Sequence, residues 1–472
     1  MLATRTEPSV QPNSSSGVRT VVVLYTRDLR VHDHPALAAA AREAERVVPL
    51  FVLDDAILRG DFAAPNRLAF LRDALADLDT SLRRRGAALV LRGGDVVRQT
   101  MAVAREVEAD AVFVTADVSA YAQRREDRLA RACREQRLEL RPYPGTMVVP
   151  HELLRTSAGE HFSVFTPYFR RWMDAPRRRI ERPPSSVALP ALQDAGSAGR
   201  VLDGLMKGDR SPALPPGGET EGRRRLAEWT RSSLARYPQA HDDLAGDDTS
   251  RLSPYLHFGC LSPAEVAERI RDREGGAAFV RQLAWRDFFH QLLAGRPETA
   301  GEDLRPRGDR WRRSRRELEA WRAGETGYPI VDAAMRQLRE EGWIHNRARL
   351  ITASFLAKTL YLDWRLGARH FLDLLVDGDV ASNVGNWQWV AGTGADTRPN
   401  RVLNPMRQAI RFDPRGDYVR RYVSELAELP SSQIHRPWTL DSRALRGLRY
   451  PPPIVDLGES AHRFRRARTA RS

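Results

Sequence analysis

The densest chemistry in this 472-residue chain lies between Asp377 and Trp389, where DGDVASNVGNWQW sets two carboxylates, two asparagines and two indoles in thirteen positions. Read as a helix, the segment puts Asp379, Asn383 and Trp387 four residues apart on one face. Trp389 then points elsewhere, about 200° round from Trp387 at roughly 100° per residue. Gly378 and Gly385 weaken such a helix and let its backbone approach something flat. Carboxylates beside indoles on a buried face need hydrogen-bonding partners, and a heteroaromatic cofactor rich in donors supplies them. A helix cap followed by ordinary core accounts for the same residues equally well.

The elements that must position this segment fall into two kinds. Val21 to Tyr25 (VVVLY) is a short β-rich run followed by the turn-like TRDLRVHDHP and the alanine-rich ALAAAAREAER. VVPLFVLD, ALVLRG, AVFVTAD and LELRPYP then alternate with helical stretches, which predicts βα crossovers and a doubly wound parallel sheet over residues 20–145. No GxGxxG follows the first strand, so a dinucleotide is not expected there by the usual fingerprint. Residues 146–218 are rich in Pro, Arg, Ser and Gly and read as a long connector over the surface. From Glu219 to about 460 the segments have helical length and period, which predicts an all-α second domain. All ten tryptophans fall at or after Trp172. The first nineteen residues read as a disordered tail and residues 461–472 as a basic one.

Composition bounds the function. Lys and Arg total 75 against 61 Asp and Glu, a formal charge of +14, which favours a polyanionic partner, nucleic acid first. Arginine enrichment from a GC-rich coding sequence gives the same balance. Two cysteines, Cys133 and Cys260, cannot build a disulfide framework or a cysteine-rich metal site, and no metal is expected. No apolar run suits a membrane span or a secretory signal, so a cytoplasmic protein is expected.

Several strings, in this order and spacing, resemble the photolyase and cryptochrome family from about residue 20 to residue 460. They are TRDLRVHDHPAL, TSRLSPYLHFGCLSP, TGYPIVDAAMRQLREEGWIHNRARLITASFL, DWR, DGDVASNVGNWQW, NPMRQ and YPPPIVD. The nearest branch is the class I cyclobutane pyrimidine dimer photolyases. The resemblance implies FAD in the helical domain, held by Tyr237, Thr249, Ser250, Arg251, Leu252, Ser253, Arg349, Asp377, Asp379 and Asn383. Hydroxyls and amides opening a helix at 249–253 suit a pyrophosphate, although TSRLS alone reads as a plain N-cap. Asn383 matches the residue facing flavin N5.

Trp387, Trp364 and Trp311 match a relay that carries an electron to photoexcited flavin. Gln282, Trp285, Asn346, Arg347 and Trp389 match a pocket for an extruded pyrimidine dimer. Arg223 to Arg225, Arg312 and Arg313 are candidate phosphate contacts. Arg27, Asp28, Asp117 and Tyr121 sit in strings like those of the branch with a deazaflavin antenna, so 8-hydroxy-5-deazaflavin is favoured over methenyltetrahydrofolate. The implied activity is light-dependent repair of ultraviolet-damaged DNA by a monomer without an obligate protein partner. Two other readings remain open: a cryptochrome-like light sensor, which the short stretch after YPPPIVD disfavours, and repair of the (6-4) photoproduct, whose enzymes usually carry Gln where this chain has Gln282 but His where it has Asn346.

Overall fold

The computed structural model describes residues 18–60, 62–156, 158–192, 208–246 and 248–469. Most of the expected N-terminal tail, residues 1–17, lies outside them. Thr20–Tyr25 (β1), Arg46–Asp54 (β2), Val90–Gly94 (β3), Ala111–Thr115 (β4) and Glu139–Tyr143 (β5) form one parallel sheet in the order β3-β2-β1-β4-β5. β1 and β4 are apolar and buried along their whole length because helices cover both faces of the sheet. Val21 stands opposite Val47 on one side and Ala111 on the other. Helices Pro35–Glu43, Pro65–Arg83, Val96–Glu106 and Ala120–Glu135 supply the crossovers, opened by Pro in the first turn or by Asp95 and Ser119 as caps. Crossovers run one way from β1 to β3 and the other way to β5. That reversal opens a crevice beyond the carboxyl ends of β1 and β4, the place where doubly wound sheets hold ligands.

From Glu219–Ser232 onward the described residues contain helices and a single isolated bridge, Arg312 to Leu362. The Gly276–Gly295 helix runs through the middle, with Phe279, Val280, Phe288 and Leu292 buried along with Asp287 and His290. It packs on the Val380–Ala391 helix at Gly385, where a Cβ would come within 2.2 Å of the Phe289 ring. The flat object that Gly385 admits is therefore a phenylalanine of the neighbouring helix.

The segment read as a surface connector is more deeply built in than its composition implies. Phe165–Asp174 is a helix with Tyr168 and Trp172 buried. The backbone of Val187 donates to the Arg85 carbonyl at 2.7 Å, and that of Val47 donates to Ala188 at 2.8 Å, so the chain lies along the α/β domain. Buried Asp287 accepts from the Val148 and Val149 amides and the Trp172 indole at 2.9, 3.1 and 3.0 Å. Apolar anchors spaced between the arginines bury against both domains, and one core joins Val21, Phe70, Trp172 and Phe288. The Leu457–Thr469 helix takes in the start of the expected basic tail; its Phe464 is buried and its Arg468 pairs with Asp309 at 3.0 Å. No described helix is long and apolar enough to cross a membrane.

Candidate functional site

A cavity of about 400 Å³ opens in the helical domain. Tyr237 and Thr249 to Ser253 line one side, and Arg349, Asp377 and Asp379 another. Gln282, Trp285, Asn346 and Trp389 line the same space. The sequence alternatives resolve here. Leu252 occupies the cap position of the short Ser253–His257 helix and offers no side-chain bond, so Thr249 and Ser250 are not its caps. Ser250 Oγ instead accepts from the Leu252 amide at 3.3 Å, and Arg251 takes a left-handed φ of 50° and pairs with Glu341 at 2.7 Å. Asp379 is a true cap, accepting from the Ser382 amide at 2.8 Å, and a cavity wall as well.

Each cavity carboxylate has a cationic partner. Arg349 donates to Asp377 at 2.7 Å. Burial works to raise the pKa of Asp379, but His290 at 3.1 Å and Arg27 at 2.7 Å outweigh it and hold the carboxyl well below its usual range. Burial, reinforced by Arg27, pushes His257 well below the ordinary imidazole value, so it lines the cavity as a neutral ring. Thr249 Oγ1, His257 Nδ1 and Asp377 Oδ1 are buried without protein partners. A ligand with several donors and acceptors and a flat apolar body fits that combination.

Six expected residues fall elsewhere. Asn383 is not on the cavity wall: its Nδ2 donates to the Ala368 carbonyl at 3.0 Å, while Ser382 and Asn386 line the cavity. Arg347 pairs with Asp242 at 2.6 Å and lies 4.4 Å from the Phe412 ring, away from the cavity lining. Arg223, Arg224, Arg225 and Arg312 pair with Glu265, Glu221, Glu228 and Glu317, which makes them salt-bridged faces. The tryptophans separate as the spacing implied. Trp387 is buried against Phe371 and Trp321, with ring centroids at 5.0 and 6.1 Å, while Trp389 faces the cavity beneath the Arg401 guanidinium at 5.2 Å. Trp387 also rests on Gly367, in the helix that Trp364 opens. Trp364 is buried and donates to Asp303 at 2.9 Å, and Trp311 is half-buried against Tyr361 at 5.1 Å.

Sequence reasoning missed Phe165, whose ring stacks on Trp285 at 3.7 Å and 5° from the connector helix. It also missed Trp343, His257 and Arg286 in the cavity wall. His257 and Trp343 stand inside family strings without a motif of their own, and the nearest signal for Phe165 was the aromatic run Phe162, Phe165, Tyr168, Phe169 and Trp172.

A second cavity, about 420 Å³, sits at the sheet crevice, lined by Thr26 and Arg27 after β1 and by Asp117, Ser119 and Tyr121 after β4. Phe51, Ile57, Leu58 and Phe62 make most of its walls apolar. Asp28 does not reach it. That side chain is fully buried and pairs with His34 at 2.8 Å, so it fixes the turn after β1. Arg27, Asp379 and His257 border the second cavity, and the last two border the first as well. Among the described residues no cluster of His, Cys, Asp or Glu is arranged to hold a metal.

Residues 21–187 match the DNA photolyase profile and residues 279–470 match the FAD binding domain of DNA photolyase. The chain belongs to the photolyase/cryptochrome family. A deoxyribodipyrimidine photo-lyase of Streptomyces griseus is 55% identical over 95% of this chain and 98% of its own length. Among solved structures, a bacterial class III photolyase from Agrobacterium tumefaciens superposes with a TM-score of 0.90 at 33% identity, covering 97% of this chain and 98% of that one. An archaeal photolyase from Sulfolobus tokodaii, solved with two FAD molecules, gives 0.86 at 31% identity over 96% and 100%.

Proposed function

We propose that the chain repairs cyclobutane pyrimidine dimers in DNA by light, with FAD in the first cavity. Reduced FAD, when bound, supplies on illumination the electron that splits the dimer and receives it back. The protein binds, orients and keeps water out. The observation that carries the reading is that one cavity joins the cofactor-type polar set at Thr249 to Ser253, Asp377 and Asp379 to a lesion-type set at Gln282, Trp285, Asn346 and Trp389. A poorly stacked lesion costs less to extrude than an intact pair and then lies against aromatic walls. Phe165 fixes the plane of Trp285 from behind. Gln282 donates an N–H to a pyrimidine carbonyl, and Asn346 offers an amide where a proton donor would be needed for the (6-4) lesion. Trp387, Trp364 and Trp311 form the relay to the surface. The second cavity holds the antenna pigment, for which its apolar walls and the Arg27–Asp117 pair suit a planar chromophore such as 8-hydroxy-5-deazaflavin.

The test is to illuminate the reduced protein with two oligonucleotides, one carrying each lesion, and resolve the products. Splitting of the cyclobutane dimer supports the assignment; splitting of the (6-4) lesion alone transfers it to that class, and no light-dependent product with either leaves a sensor.

A further inference from the structure

Behind the wall that carries Trp389 the structure holds a buried ammonium. The Asn346–Ser354 helix widens at its end into a π-helical turn, Phe355–Leu360, and Lys358 lies within it, 2% exposed. Its Nζ donates to the carbonyls of Pro399 and Arg401 at 2.8 and 2.6 Å. Both carbonyls belong to the turn that follows the Val380–Ala391 helix, which meets solvent at Thr397, Arg398, Asn400 and Arg401. Arg401 is the residue whose guanidinium lies 5.2 Å from the Trp389 ring. Two further contacts seat the same turn. Ser354 Oγ accepts from the Leu403 amide at 3.0 Å, and Gly392, at a φ of 83°, leaves space for the Pro399 carbonyl, which a Cβ would meet at 2.2 Å. Lys358 lines neither cavity.

We propose that Lys358 is a positioning residue of the lesion wall, its ammonium fixing the 396–401 turn so that Arg401 stays over Trp389. The proposal rests on the reading of Trp389 as part of that wall. A cation costs far more to bury than the methionine or leucine that would fill the same space, so packing alone does not call for one. What an ammonium adds is several donors on one atom, and here two of them draw two carbonyls of the turn to a single point. Burial brings its pKa down to about 7. Asp396 in the turn and Asp309 ahead of Trp311 favour the cation, while Arg401 and, from the last helix, Arg468 oppose it. The same helix sets the Phe464 ring 5.6 Å from Nζ and donates from Arg463 to the Thr359 carbonyl at 2.9 Å. The cation is therefore present below about pH 7 and is lost as pH rises through that value. A neutral amine keeps N–H donors but gives up the charge that strengthens each bond. Dimer binding accordingly weakens towards alkaline pH through a group outside both cavities.

The experiment measures, in the dark, equilibrium binding of a dimer-bearing and an intact oligonucleotide to the full chain with FAD bound, at pH values well below and well above 7. The native protein is expected to prefer the dimer by a margin that shrinks as pH rises, with a midpoint near 7. Lys358→Met removes the charge and keeps most of the bulk. It is expected to lower dimer affinity at the acid end by about tenfold, equivalent to roughly 1.4 kcal/mol, and to flatten the profile, with binding of intact DNA and FAD content unchanged. Asp396→Asn takes away a charge that favours the cation and is expected to move the native midpoint to lower pH, a result that does not need the first variant to fold. A dimer preference that Lys358→Met leaves unaltered at every pH, an equal loss on both oligonucleotides, or an unmoved midpoint in Asp396→Asn overturns the inference while the lesion wall stands. Native protein that binds the two oligonucleotides alike at every pH overturns the lesion reading itself, and the inference with it.

Discussion

Trp387 and Trp389 are two residues apart yet serve opposite sides of one helix, and their substitution should separate two functions. Trp387→Phe is expected to abolish flavin photoreduction by external donors while protein reduced chemically beforehand still repairs; the check is the bleaching of the oxidised flavin band under light beside a repair assay in the dark-reduced state. Gln282→Glu tests the hydrogen-bond account of dimer binding, since a protonated Glu offers the same donor. Cyclobutane repair should be kept or raised, by no more than the several-fold that one improved hydrogen bond of about 1 kcal/mol allows. His345 supplies a pH signature. Burial pushes its pKa to about 4, so the neutral ring accepts from the Arg347 amide at 3.1 Å. Because the folded value is depressed, the unfolded chain takes the proton first, and stability is lost as pH falls from about 6.5 towards 4. His345→Asn should flatten the slope of unfolding free energy against pH in that window by up to about 1.4 kcal/mol per unit, read from urea transitions at a series of pH values.

At the scale of elements, the helix Phe165–Asp174 matters more than a connector should, because Phe165 backs Trp285, the indole proposed to face the lesion. Phe165→Ala is expected to weaken binding of dimer-containing DNA by several-fold, the loss of a stacked pair worth about 0.5–1.5 kcal/mol, with FAD content unchanged. Equilibrium binding to lesion-bearing and intact oligonucleotides checks it, and an equal loss on both would assign the effect to general damage. The strands and crossovers were legible because the sheet writes itself locally, in apolar runs such as VVVLY and AVFVT bounded by turns. The cavity face of Val380–Ala391 was not. Counting fours from Asp379 selected Asn383, but Asp379 is the cap and stands outside the helix, so the lining residues are Ser382, Asn386 and Trp389. The arginines at 223–225 looked like phosphate contacts until their glutamates were placed beside them.

On the scale of the whole molecule, the site is assembled from positions too far apart for any window of sequence to join. Arg27 and Asp379 are 352 residues apart and form one ion pair. Asp287 ties the central helix to Val148, and Tyr361 meets the last helix through Asp309 and Phe464. Family strings named most of the residues that line the first cavity, while the contacts among them follow from the fold. The excess of cations was a sound pointer to a polyanion, although many of the named arginines turned out to be neutralised within the protein.

The Arg27–Asp379 pair also bears on ancestry and engineering. A fold with two recognisable halves invites the thought that either half was once, or could again be, a separate module. Here the sheet lends a cation to Asp379 in the wall of the first cavity, and without it that carboxylate would sit buried with the His290 ring as its nearest partner. A fragment beginning at residue 208 is thus expected to hold FAD far more weakly than the intact chain, and supplying residues 18–192 in trans should restore part of the affinity, as titration by flavin fluorescence would show. Exchange of the sheet domain between relatives should succeed only where the donor brings an arginine to this position, which makes this salt bridge one of the points at which the two halves are bound to evolve together.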